Sequence, residues 1–63
     1  MTKKDYILIA GRINNVVTAY RQKDDIRATA GAVEVAISLT FALGAENPSF
    51  NSARFLTACG IKH

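Results

Sequence analysis

The chain has 63 residues, 49% hydrophobic and 21% charged, with eight basic residues against five acidic for a formal charge of +3. That length accommodates one domain, and so high an apolar share argues against a disordered chain. One cysteine and one histidine exclude an internal disulfide framework and a metal-held scaffold. Oligomerisation is then the remaining reinforcement for a core that, at this size, supplies only about 3–5 kcal/mol.

The first helix is predicted over Lys3 to Arg21. Thr2 is placed to cap its first turn, and Asp5, three positions on, to complete a capping box. Tyr6, Ile9, Ala10, Ile13, Val16, Val17 and Tyr20 recur at helical spacing and form one apolar stripe. Lys4, Arg12, Asn14, Asn15 and Thr18 lie opposite. Ile7 and Leu8 fall outside the stripe, either as ordinary exposed side chains or as the edge of a second contact.

Arg-Gln-Lys-Asp-Asp, from Arg21 to Asp25, contains no glycine or proline. A turn here rests on Asp24 or Asp25 capping the next helix. The alternative, one helix from Lys3 to Glu46, would need a coiled-coil partner along its whole length. The hairpin is the favoured reading.

The second helix, Asp25 to Glu46, is apolar around most of its circumference. Ile26, Val33, Ile37 and Phe41 gather on one side; Val35, Leu39 and Leu43, with Ala28, Ala32 and Ala36, gather on another. Arg27, Gly31, Glu34 and Ser38 make a narrow polar strip. Arg27 and Glu34 interrupt any uncharged run of about 18 residues, so a soluble helix buried on both sides is expected rather than a bilayer span. One chain of this length covers only one such side. The expected division places Ile26, Val33, Ile37 and Phe41 against helix one and assigns Val35, Leu39, Leu43, Ala28, Ala32 and Ala36 to a dimer interface. Gly31 and Gly44 are read either as close-approach positions or as residues simply tolerated by their surroundings.

Pro48 ends the second helix. The third, Ser52 to Cys59, has Asn51 as its N-cap, Phe50 and Phe55 as a hydrophobic staple, and Gly60 followed by Ile61 as its stop. About two turns do not persist alone, so Phe55, Leu56 and Cys59 must dock on the hairpin. The predicted class is therefore all-α: a helical hairpin plus a short C-terminal third helix, dimerising into a four-helix-bundle-like assembly.

No enzyme is expected, and no cofactor. No serine or cysteine has a visible base, and the acids sit mostly at helix starts, where capping explains them. Adjacent Asp24 and Asp25 are a poor cation site without further oxygen ligands. Cys59, among apolar neighbours, reads as a small core residue. Arg21, Lys23 and Arg27 crowd the hairpin tip and are the candidate contacts for a partner or for nucleic acid, although Asp24 and Asp25 partly cancel their field. Lys3 and Lys4 form a second basic group, to be joined by Arg54 if the third helix folds back toward the first.

Both ends of the chain resemble a group of small phage and prophage proteins of unknown function. The residues that carry this are Thr2-Lys3-Lys4-Asp5-Tyr6 with Leu8-Ile9-Ala10, then Asn47-Pro48-Ser49-Phe50, Arg54-Phe55-Leu56 and Ala58-Cys59-Gly60. More loosely, the chain is similar to small accessory proteins of lambdoid phage early regions, which include all-helical dimers. The resemblance implies a protein of the bacterial host cytoplasm that binds a host or phage protein as a homodimer. A small basic nucleic-acid-binding transcriptional modulator is the alternative. The lone cysteine and the short Tyr6 to Ala10 run, too brief for a secretion signal, fit the same compartment.

Overall fold

The computed structural model describes residues 1–61; His63, the chain's one histidine, lies outside them with Lys62. Three helices follow one another: α1 (Lys3–Gln22), α2 (Ile26–Glu46) and α3 (Ser52–Ala58). The described residues are all-helical, without strands. α1 and α2 form an antiparallel hairpin and α3 packs against both, within extents of 35 × 18 × 15 Å.

Each helix end has a local cause. At the start of α1 the Asp5 carboxylate accepts from the Thr2 amide at 2.8 Å and from the Thr2 hydroxyl at 3.2 Å. The backbone hydrogen bond holds the Asp5 carboxyl below its ordinary 3.8; the hydroxyl and the nearby chain terminus add to the effect.

Between α1 and α2 the amide of Asp25 bonds the Tyr20 carbonyl and that of Asp24 bonds Arg21, the paired bonds of a Schellman stop. Asp24 takes the left-handed position, φ 54°, where glycine is the usual occupant. Aspartate, with its short side chain, is among the few residues other than glycine that visit this conformation, which is how the turn forms without glycine. Asp25 then caps α2, its carboxylate accepting from the Ala28 amide at 3.0 Å.

α2 ends at Asn47, whose side chain works in two directions. Its Oδ1 accepts from the Ser49 amide at 3.0 Å and its Nδ2 donates to the Tyr6 hydroxyl at 3.3 Å, fastening the loop to the first turns of α1. Phe50 lies between Tyr6 and Phe55, with ring centroids 5.2 and 5.5 Å away in tilted pairs. Asn51 caps α3 through the Arg54 amide at 3.0 Å.

The stop after α3 anchors the end of the fold. Gly60, at φ 82°, lets its own amide bond Thr57 and the Ile61 amide bond Leu56, both at 3.0 Å. Ile61 is thereby buried, and the Arg21 guanidinium donates to the Gly60 carbonyl at 2.7 Å. The core brings together Ala10 of α1, Ala36 and Leu43 of α2, and Phe55, Cys59 and Ile61. Val17 is fully buried, and Thr40, the one buried polar residue of α2, donates to the Ile37 carbonyl at 2.6 Å.

Within the single subunit α2 is buried along one side, as expected of one chain: Ala36, Thr40 and Leu43 face inward while Ile26, Val35, Ile37 and Phe41 remain exposed. Within the subunit the glycines are not close-approach positions, since a Cβ on Gly31 meets nothing within 4 Å and one on Gly44 meets only the Phe50 ring at 3.9 Å. Tolerance by the surroundings accounts for both.

Two substitutions test these ends. A Cβ at residue 60 would stand 2.6 Å from Asn14 Oδ1 on a left-handed backbone, so Gly60→Ala should destabilise by at least about 1–2 kcal/mol in chemical denaturation. The Asp5 carboxyl is depressed, so its stabilisation is present above the unfolded value and lost as pH falls through the folded one. Asp5→Asn should therefore lower Tm at neutral pH, and the gap to wild type should close as the solution is acidified below the ordinary carboxylate range.

Candidate interaction surfaces

The alanines of α2 decide how its circumference is shared. Ala36 is fully buried and Ala28 and Ala32 half-buried, so α1 approaches along the side of α2 with the smallest side chains. Ile13 and Ile9 pack against the core from α1, and Leu39 and Val33 from α2. The expected division of α2 is thus reversed. Ala36 and Leu43, assigned to a dimer interface, are sealed inside the subunit; Leu39, Ala28 and Ala32 are half-buried, and only Val35 of that set is exposed. From the arc expected to meet α1, only Val33 packs on the core, whereas Ile26 is 81% exposed, Phe41 76% and Ile37 40%.

Ile26, Ala30, Ile37 and Phe41 lie at 100° per residue within about 60° of arc. All four are exposed, and Val33 and Gly44 sit at or beside the edge of the same arc. No charged residue falls inside it. On the other exposed flank Val35 shares its arc with Glu46, and Leu8 and Val16 of α1 stand either side of Arg12. The α2 stripe is the more continuous apolar surface.

By length and composition α2 is also long and apolar enough to cross a membrane, Arg27 and Glu34 notwithstanding. In the fold the helix uses one of its sides to hold α1 and α3.

A second surface is a cleft of about 480 Å³ between the first turns of α1, the loop after α2, and α3. Tyr6, Ile7, Phe50 and Phe55 are among its walls, and Lys3 and Arg54 both line it, α3 having folded back to the start of α1. Ile7, 60% exposed, belongs to this cleft, which resolves its place outside the main stripe of α1.

The hairpin tip is a mixed surface. Arg21 is engaged by the Gly60 carbonyl, and a shallow hollow of about 330 Å³ beside it is lined by Asp24 and Asp25 as well as Arg21. Lys23 and Arg27 are exposed. Arg21, read from sequence as a surface contact, is a tie between the end of α1 and the end of α3. Nothing local foretold this, since the two residues stand 39 positions apart.

The one cysteine is not displayed. Cys59 has no accessible surface, and burial pushes its thiol up from the ordinary value, so it is protonated at neutral pH. Among the described residues no three His, Cys, Asp or Glu side chains gather as a metal site would require. Native protein should accordingly react with a thiol reagent only as fast as it opens, with full reactivity appearing in denaturant; rapid labelling of the folded chain would contradict the burial of Cys59.

No protein-family model, curated protein or solved structure matches the chain.

Proposed function

We propose that this chain is a protein-interaction module that works as a homodimer joined along the Ile26–Phe41 stripe of α2 and modulates a host or phage protein in a bacterial cytoplasm. The observation that carries the reading is the amount of surface left uncovered. The subunit exposes 4652 Å², whereas the mass scaling of folded monomers gives about 3950 Å² for 6.8 kDa. The excess of about 700 Å² is close to the roughly 800 Å² each partner contributes to a standard interface.

The stripe has the symmetry a dimer needs. In an antiparallel pairing of α2 with its copy about a two-fold axis between Val33 and Glu34, Ile26 stands opposite the copy's Phe41 and Ala30 opposite the copy's Ile37. In the inner pair a small side chain meets a large one, and every contact is repeated by the symmetry. The α1 and α2 helices of two subunits would then supply the four long helices of the assembly. The resemblance of both chain ends to small phage and prophage proteins supports the host or phage setting.

The basic tip supports a nucleic-acid reading less well, because Arg21 is already bonded and Asp24 and Asp25 stand beside it.

Analytical ultracentrifugation of the wild type should show a dimer at micromolar concentration, and Phe41→Glu should convert it to a folded monomer, since a charge buried in an apolar interface is costly. Val35→Glu, on the other flank, should leave the dimer intact. A wild-type monomer, or dissociation by Val35→Glu and not by Phe41→Glu, would reject this face.

A further inference from the structure

The cleft between α1 and α3 combines three features the proposed dimer does not use. Its floor is an aromatic row in which Phe50 bridges Tyr6 and Phe55, at centroid distances of 5.2 and 5.5 Å. Tyr6 and Phe50 are only half-buried and Ile7 is exposed, so the row presents apolar surface to the solvent side. Cations stand on two walls: Lys3 from α1 and Arg54 from α3, both exposed. Among the described residues no carboxylate lines the cleft. It is an open groove of about 480 Å³, large enough to seat a bulky side chain.

Folding alone does not require this arrangement. Phe50 and Phe55 staple the start of α3, and Asn47 fastens the loop through the Tyr6 hydroxyl at 3.3 Å. Neither Lys3, Ile7 nor the Arg54 side chain is needed for those contacts. A cation on each side of an apolar seat matches a ligand in which a bulky apolar group is flanked by negative charge, with Arg54 able to grip a carboxylate through two parallel hydrogen bonds.

We propose that this cleft docks an acidic segment of a partner protein, seating one leucine or aromatic side chain against Ile7, Tyr6 and Phe50 while flanking carboxylates meet Lys3 and Arg54. The proposal rests on the reading of the chain as an interaction module and names the chemistry of its partner. No residue of α2 lines the cleft, so the dimer stripe and the docking site share no residue.

The test is an NMR titration of the full chain with a blocked peptide, Glu-Glu-Leu-Phe-Glu-Glu, and with its all-glutamine counterpart Gln-Gln-Leu-Phe-Gln-Gln. The acidic peptide should shift the resonances of Ile7, Tyr6, Phe50 and Arg54 and bind at least about tenfold more tightly than the glutamine peptide, the scale of one charge-assisted hydrogen bond. Arg54→Gln combined with Lys3→Gln should reduce acidic-peptide binding to the level of the glutamine peptide and leave the helical circular dichroism unchanged. Added salt should weaken the wild-type interaction.

Equal binding of the two peptides, shifts confined to other surfaces, or no binding at millimolar peptide would overturn the proposal. Tighter binding of dodecanoate than of the acidic peptide would overturn it in favour of a site for a lipid carboxylate. Repeating the titration on Phe41→Glu separates the two readings. Peptide binding by a monomer leaves the cleft standing without the dimer, and a dimer indifferent to the peptide leaves the dimer standing without the cleft.

Discussion

An α-helix as apolar as α2 needs neighbours on more than one side, and a chain of this length supplies only two, one of them seven residues long. The rest of the structure follows from how that shortage is distributed. α1 and α3 cover the side holding Ala36, Thr40 and Leu43 and leave Ile26, Ile37 and Phe41 to solvent. The cost of exposing that much apolar surface is the physical reason to expect a second surface against it.

α3 is held less by its own length than by its ends. The Phe50–Phe55 pair orients its entry, and the Gly60 stop turns Ile61 back into the core. Arg21 then bonds the Gly60 carbonyl, so the last turn of α1 and the end of α3 close on each other. At the other end of α3 the row of Tyr6, Phe50 and Phe55 brings Arg54 to the cleft beside the start of α1. A surface with cations on two walls and an aromatic floor thus arises from contacts that are themselves structural.

The two surfaces differ in what they can recognise. The α2 stripe is apolar, with Glu34 at its margin, which suits a self-complementary contact whose specificity comes from shape and register. The cleft carries directional donors around a small apolar seat, which suits a ligand of defined charge. A chain with both would bring two identical docking sites together in one dimer, and linked sites bind a divalent target more tightly than either alone.

Much of this was written locally in the chain. The all-helical class, the capping roles of Asn51 and of one of Asp24 and Asp25, the staple of Phe50 and Phe55 and the left-handed Gly60 are properties of short segments, governed by hydrogen bonds within a turn or two, and so they can be read without knowing the fold. The surplus of apolar surface on α2 was legible for the same reason, since periodicity and residue type are enough to count faces. Which face is inner was not. That choice depended on how closely α1 could approach, and the smooth side carrying Ala28, Ala32 and Ala36 won over the bulkier Ile26 and Phe41, a comparison between two helices that neither contains alone. The bond from Arg21 to Gly60 and the meeting of Lys3 and Arg54 on one cleft likewise involve positions far apart in the chain, and only the three-dimensional packing decided them.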